Sequence, residues 1–344
     1  MKKRTPSFGK TIPAQRPEKV LHVADLPAYC ESWVRDGDFS NRSSTTLDAR
    51  RRIVGKLIWF LTERKRSTVG PDEVRAFLGY VKHGHEEDGG RWDVGGTRPA
   101  CLAAPRPSTV KTYFAYLRAF FAWCVKQGYA GASPITPIPT SEVPQDDITP
   151  FTLEQKQRLV TAAEHSRHTA RDVAVIKLML GTGLRVSEVC GIRLEHIDLD
   201  ERLITVMGKG RKKRSVPFGR KVGQALWTYM RDEARHIEAK EKKDLTVPLF
   251  LADRGRNTGD VMTRWGIAQI VERLNKEAEI DTARCSPHTF RHTFAIDYLR
   301  KGGNVFALKR ILGHKNLDMT NKYVAYADND LAKMHRQCCP VDDL

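Results

Sequence analysis

Leu312-Gly313-His314-Lys315-Asn316, with Tyr323 nine residues after the histidine, is the stretch on which this chain turns. Three earlier pieces give it sense: Gly183-Leu184-Arg185-Val186-Ser187-Glu188, Gly208-Lys209-Gly210 and His288-Thr289-Phe290-Arg291-His292. A phenol with a pKa of about 10 is a weak nucleophile at neutral pH, so a chain that uses one must bring cations and acid/base groups to its target. The two arginines, the lysine and the two histidines of these motifs are of that kind.

The composition points to a polyanion. Lysine and arginine number 58 against 41 acidic residues, a formal charge of +17 spread along both halves of the 344-residue chain, as expected of a folded surface that meets nucleic acid. Seven cysteines at irregular spacing, with Cys338-Cys339 adjacent, make no disulfide or zinc framework and suggest reduced thiols. Met1-Lys2-Lys3-Arg4 is followed by no apolar run, and no later segment reaches the ~18 apolar residues of a membrane span, so the expected location is the cytoplasm, without membrane contact.

Residues 1–23 lack periodicity and are expected to be a flexible basic arm. Residues 24–135 predict a helical bundle. Its first helix would start near Asp25, and a second, capped among Ser43–Thr46, would place Leu47, Val54, Leu57, Ile58 and Leu61 on one face. Arg50, Arg51, Arg52 and Lys56 fall off that stripe and are candidates for DNA phosphates, or an ordinary solvated face. A third helix follows Gly70-Pro71-Asp72. Residues 84–107, rich in glycine, proline and charge, predict a long loop in which the spacing of His83, His85 and Cys101 fits no zinc pattern. Ser108 is expected to cap a helix whose stripe of Tyr113, Phe114, Leu117, Phe120, Phe121 and Cys124 reads as core.

Prolines across 136–150 predict an extended linker. Beyond it, Thr152 and Gln155 form a capping-box pattern, and helix is expected over 172–180, 184–194 and 222–240. Leu203–Met207 and Arg214–Phe218 predict strands of a hairpin around a basic glycine turn. Further helices are expected over 263–278, 288–301, 304–312 and from Asp318 through Tyr323. The fold class is mainly α with a small β-hairpin.

Arg185 follows a glycine turn at a helix start, where a guanidinium can grip a phosphate by two prongs, and Glu188, three residues on, shares its face and would brace it. Lys209, between glycines at the hairpin tip, can reach into a groove. Arg211, Lys212, Lys213 and Arg214 behind it would hold DNA, or merely solubilise the hairpin. His288 and Arg291 share one face of a helix start. His292 is expected to point elsewhere, in a structural role.

These motifs, in order and spacing, resemble the tyrosine recombinase or phage integrase family, especially its Xer-like members, strongly over residues 150–327 and more loosely before. The resemblance implies an N-terminal helical, SAM-like core-binding domain, an α+β catalytic domain over 151–327, and a tail, 328–344, that packs on a neighbouring protomer, the alternative for the tail being a frayed terminus. It implies that Tyr323 attacks a DNA phosphodiester to give a 3′-phosphotyrosyl link. Arg185 and Arg291 would hold the non-bridging oxygens, Lys209 would protonate the departing 5′-oxygen, His288 would act in proton transfer, and His314 would hydrogen-bond the phosphate. It also implies no metal, ATP or other cofactor, double-stranded DNA as partner, and a homo-oligomer, a tetramer in the synapse, with an accessory directionality protein left open. Tyr326 is the rival nucleophile. A type IB topoisomerase, relaxing DNA without strand exchange, and a catalytically silent DNA-binding regulator are the alternative readings.

Overall fold

The computed structural model describes residues 19–86, 89–93, 99–139, 149–208, 212–232, 247–252, 260–280 and 286–326. They fall into two compact units divided between Gln145 and Asp146. Both are mainly helical. Residues 1–18 of the expected arm, most of the linker and the tail lie outside the described residues, as do Lys209 and Arg211; residues 19–23, expected in the arm, instead include a short strand, Leu21–His22, and the start of a 3-10 turn, Val23–Asp25.

In the first unit α1 (Leu26–Phe39), α2 (Ser44–Glu63), α3 (Pro71–Lys82) and α5 (Pro107–Lys126) surround one core, with a short α4 (Pro99–Leu102) beside them. Ser43 caps α2, its hydroxyl accepting from the Thr46 amide at 3.3 Å. A two-stranded ribbon that the sequence did not announce joins β1 (Leu21–His22) to β2 (Thr68–Val69). The aromatic stripe of α5 is core, as expected: Leu117, Phe120, Phe121 and Cys124 are fully buried. The helix begins at Pro107, not after Ser108, because a proline with fixed φ suits a first helical position and lacks only an amide that would be orphaned there.

The described residues of the 84–107 segment have more order than a plain loop. Arg91 is buried and donates to the carbonyls of His83 and Ala103, while Trp92 stacks on Tyr113 with planes 3° apart. Lys56 lies 4.3 Å above the Trp92 ring and donates to the Tyr113 hydroxyl at 2.9 Å. The ring of His85 is spent on the Tyr80 carbonyl, 2.7 Å away.

The second unit is built around α7 (Thr169–Thr182), which contacts α6 (Leu153–Glu164), α9 (Arg220–Met230), α10 (Arg264–Glu277) and α11 (Pro287–Arg300). Burial of Ala174, Val175, Ile176, Leu178 and Met179 leaves α7 little solvent face, as its near-continuous apolar sequence requires. The Thr152–Gln155 capping box closes as expected, at 2.9 and 3.1 Å. Instead of ending at Leu180, α7 runs through Thr182 and stops where Gly183 turns left-handed (φ 61°). The helix expected over 184–194 is only α8 (Val186–Cys190) followed by a 3-10 turn, Leu194–His196.

The predicted hairpin is present as β4 (Leu203–Met207) and β5 (Lys213–Pro217), joined by an unanticipated edge strand β3 (Ile197–Asp198) in the order β3-β4-β5. The last described elements are α11, α12 (Val305–Leu312) and α13 (Asp318–Val324), packed over Ile296, Leu299, Leu308 and Leu312. Among the described residues no helix is long and apolar enough to cross a membrane.

One buried charge ties α7 to α10. Asp172, fully buried, accepts from Arg171 Nε at 2.8 Å and from Arg273 Nη2. Replacing Asp172 with alanine would remove the buried carboxylate that Arg171 and Arg273 share, a loss of about 3–5 kcal/mol of stability. Urea unfolding of the purified variant checks this; a change below about 1 kcal/mol would show that the pair matters little.

Candidate active site

Five elements aim side chains at one region: the turn from α7 into α8 (Arg185, Glu188), β5 (Arg214), α11 (His288, Arg291, His292), the end of α12 with His314, and α13 (Tyr323). Helix ends explain the convergence, since the last carbonyls of a helix have no partner within it and attract cations. Gly313 ends α12 in the left-handed conformation (φ 64°). The carbonyls before it are taken by arginines: Ile311 accepts from Arg214 Nε at 2.8 Å, and Leu312 from Arg291 Nη2 at 2.8 Å and Arg185 Nη1 at 3.4 Å. Arg291 Nη1 donates to the Gly183 carbonyl at the end of α7, at 2.9 Å.

Glu188 fastens two of the three. Its Oε1 accepts from Arg185 Nη1 at 3.0 Å and Arg214 Nη1 at 2.8 Å, and its Oε2 from Arg214 Nη2 and the Arg185 amide at 3.0 and 2.9 Å. Burial raises its pKa, but the hydrogen bonds from Arg214 and the Arg185 amide, with both guanidinium charges, outweigh that and hold it below the ordinary carboxylate range. The bracing expected of Glu188 is therefore seen. Arg214 differs from the hairpin cation the sequence suggested: it is turned inward as a two-pronged partner of Glu188, and mostly buried.

Arg291 is 4% exposed, and burial together with the neighbouring Arg185 charge lowers its pKa to about 10. Its Nη2 also lies 2.8 Å from His314 Nε2. A guanidinium has no acceptor, so Nε2 must accept; the His314 proton then sits on Nδ1 and is donated to Thr320 Oγ1 at 2.8 Å. Burial and the charges of Arg291, Arg185, Lys322 and Arg214 push the His314 pKa down to about 4, consistent with this neutral tautomer.

Tyr323 is 1% exposed, and its hydroxyl lies 3.0 Å from His292 Nδ1. Burial raises the phenol pKa against the opposing pull of Arg291 and Arg185, so it carries its proton at neutral pH. His292 is the residue sequence reasoning misplaced. The signal was available: positions 288 and 292 are one turn apart and share a face. Burial, then Lys322, His288 and Arg291, lower the His292 pKa to about 4. His288 is exposed at the start of α11, and its pKa is lowered by partial burial and by Arg291, Arg185 and Lys322. Tyr326 packs on the α11–α13 core and offers its carbonyl to Arg300 Nη2 at 3.1 Å.

Arg185, His288, Arg291, His314 and Tyr323 are thus gathered in one unit. Lys212 and Lys213 are exposed on the hairpin. In the first unit Arg51 pairs with Glu31 at 3.0 Å, Arg50 lies on the Trp33 ring and donates to the Trp33 carbonyl, and Lys56 is held as described. Arg52 is exposed. Among the described residues no three His, Cys, Asp or Glu side chains group as a metal site.

A profile of the Phage integrase family matches residues 150–330. Tyrosine recombinase XerD of Ralstonia nicotianae is 30% identical over 318 residues, covering 92% of this chain and 94% of the relative. Tyrosine recombinase XerC of Thermodesulfovibrio yellowstonii is 34% identical over 242 residues, covering 70% and 78%. The fold is similar to that of the Tn1549 transposon integrase solved in complex with transposon right end DNA (TM-score 0.66, 21% identity, 93% of this chain and 99% of that one). It is also similar to a lambda integrase dimer bound to a COC′ core site (TM-score 0.61, 16% identity, 86% and 96%). The chain belongs to the phage integrase family. It is an enzyme of site-specific DNA recombination, a tyrosine recombinase like its Xer relatives.

The buried neutral His314 predicts a pH dependence of stability. Between its folded value of about 4 and an unfolded value of about 6.5, the unfolded chain binds a proton that the folded chain does not, so stability falls as pH drops through that window. From pH 7.5 to 5 this contribution amounts to about 2 kcal/mol. His314→Gln should flatten urea-derived stability against pH by about that amount; an unchanged slope would show that His314 is protonated in the folded protein.

Proposed function

We propose that the chain cuts and rejoins duplex DNA at short core sites through a 3′-phosphotyrosyl intermediate with Tyr323 as nucleophile. The observation that carries this is the placement of a buried phenol beside a neutral imidazole, in a pocket where two buried or half-buried arginines are fixed by a carboxylate and by helix-end carbonyls. Cations held in advance stabilise the charge that gathers on the non-bridging oxygens as phosphorus becomes five-coordinate. Arg185, whose side chain is 32% exposed, and Arg291 are the residues for those oxygens. A phosphate taking the Arg291 Nη2 proton now shared with His314 would free His314 Nε2; protonated there, it would donate to the phosphate.

Lys209 is assigned to protonation of the departing 5′-oxygen, on its place between Met207 and Lys213, the last and first residues of the two hairpin strands. Gly208, whose amide closes the turn onto the Lys212 carbonyl at 2.8 Å, sets the base of that tip. His288 is assigned to proton transfer at the open side of the site. One phosphodiester is exchanged for another of similar energy, so the reaction needs no ATP, and the arginines, Lys209 and the histidines are assigned the charge and proton work that a metal would otherwise do. Double-stranded DNA is the partner, met by Arg52, Lys212 and Lys213 among the exposed cations; the Tn1549 and lambda integrases, solved with DNA, support this. We assign the work to a homo-oligomer, a tetramer in the synapse, acting in the cytoplasm, with residues 328–344 as the contact between protomers.

Covalent trapping tests the nucleophile. Wild type, Tyr323→Phe and Tyr326→Phe are incubated with a pool of nicked duplexes that includes the DNA flanking the chain's own gene, then denatured and resolved on a gel. A protein-linked DNA band is expected in wild type and Tyr326→Phe and none in Tyr323→Phe. A band that survives Tyr323→Phe and disappears in Tyr326→Phe would reassign the nucleophile, and DNA binding without any band would favour a silent regulator.

A further inference from the structure

Attack by Tyr323 requires its hydroxyl to lose a proton, and most of its neighbours cannot take one. Arg291 and Arg185 have only donors. Lys322 Nζ sits over the face of the Tyr323 ring, 5.0 Å from its centre, rather than at the hydroxyl, although burial and Arg291 lower its pKa. His314 stacks on the same ring at 6.3 Å between centroids, but its Nε2 faces Arg291 and its Nδ1 faces Thr320. His292 Nδ1 lies 3.0 Å from the Tyr323 hydroxyl, inside hydrogen-bond reach before any substrate arrives.

The geometry points to His292 as the general base of strand cleavage, the group that receives the Tyr323 proton, with His288 left for the exposed side of the site. This rests on Tyr323 being the nucleophile. In the step, the phenolic oxygen forms its bond to phosphorus and its proton passes to His292 Nδ1, giving an imidazolium. The bond from phosphorus to the 5′-oxygen breaks, and that oxygen takes a proton from the acid assigned to Lys209. Rejoining runs in reverse: the 5′-hydroxyl returns a proton to the lysine as it attacks, and the imidazolium returns its own to the departing phenolate. Protons and bonds balance, with no further reactant.

The charges around His292 suit a transient proton. Burial first, then Lys322, His288 and Arg291, keep the imidazole neutral in the free protein. A bound phosphodiester brings a negative charge close by that offsets those cations and favours the imidazolium as the transition state forms. The hydrogen bond also helps to fix the direction of the phenol on the short helix α13, beside its hydrogen bond with Arg291.

The test uses the full chain and a suicide duplex carrying the sequence that wild type links to itself in the trapping assay. His292→Asn can keep a hydrogen bond to the phenol but cannot take its proton. Cleavage by this variant should fall about 100-fold or more with DNA binding unchanged. A 5′-bridging phosphorothiolate, whose sulfur leaves without protonation, should not restore it, whereas it should restore Lys209→Ala. In His292→Gly, added imidazoles should recover cleavage in proportion to their basicity. Cleavage by His292→Asn within about threefold of wild type would overturn the inference, as would rescue by the phosphorothiolate or loss of DNA binding in both variants, which would mean a structural role. Tyr323→Phe run alongside separates the two readings. If it still links DNA, the nucleophile assignment fails; if it does not and His292→Asn does, only the base assignment fails.

Discussion

Three guanidiniums share one helix end, and everything else in the catalytic unit serves to keep them there. Like charges about 4 Å apart repel by roughly 4 kcal/mol even at the effective dielectric of a protein surface. Arg185, Arg214 and Arg291 would separate if left alone. Two things offset this: the buried carboxylate of Glu188, shared by Arg185 and Arg214, and the carbonyls of Ile311 and Leu312 that close α12. One full negative charge and a helix end worth about half a charge do not neutralise three positive ones. The remaining excess is what a phosphodiester would find waiting, and its strength comes from having been assembled during folding.

That arrangement depends on where two helices stop. Gly183 and Gly313 both turn left-handed, so α7 and α12 end abruptly and present carbonyls instead of continuing. At Gly183 an added Cβ would collide with the Phe294 ring, and at Gly313 it would come 3.0 Å from Arg214 Cζ. Glycine is needed there for conformation and for space together. The sequence motifs Gly-Leu-Arg and Leu-Gly-His are therefore helix terminators as much as binding motifs: each places a polar side chain one or two residues after a carbonyl that holds another.

Much of this was legible because it is local. Helical stripes, the Thr152 capping box, the hairpin and the bracing of Arg185 by Glu188 all act within a few residues, and all are found. What was not legible depends on partners distant in sequence. Arg214 reads as one more cation of a basic hairpin until Glu188, 26 positions earlier, meets it. The Asp172–Arg273 pair spans 101 positions. Trp92, in a segment with no periodicity, gains order from partners distant in sequence, Trp59, Lys56, Phe77, Tyr80 and Tyr113. His292 is a different case: it stands one helical turn from His288 on the same face of α11, and only its contact with Tyr323, 31 positions later, shows what it meets.

Net charge misleads in the same way. A balance of +17 suggests a surface ready for a polyanion, yet many of the cations are engaged by the fold. Arg51 holds Glu31, Arg50 covers Trp33, Lys56 is half-buried over Trp92, and Arg91 and Arg291 terminate on backbone carbonyls. Arginine suits such work because its planar fork serves several acceptors at once and stacks on rings, whereas lysine keeps its water more tightly. The exposed Lys212 and Lys213 on the hairpin, against the inward Arg214, show that division within three consecutive residues. Composition can therefore name the partner's charge, while only the packing decides which cations remain to meet it.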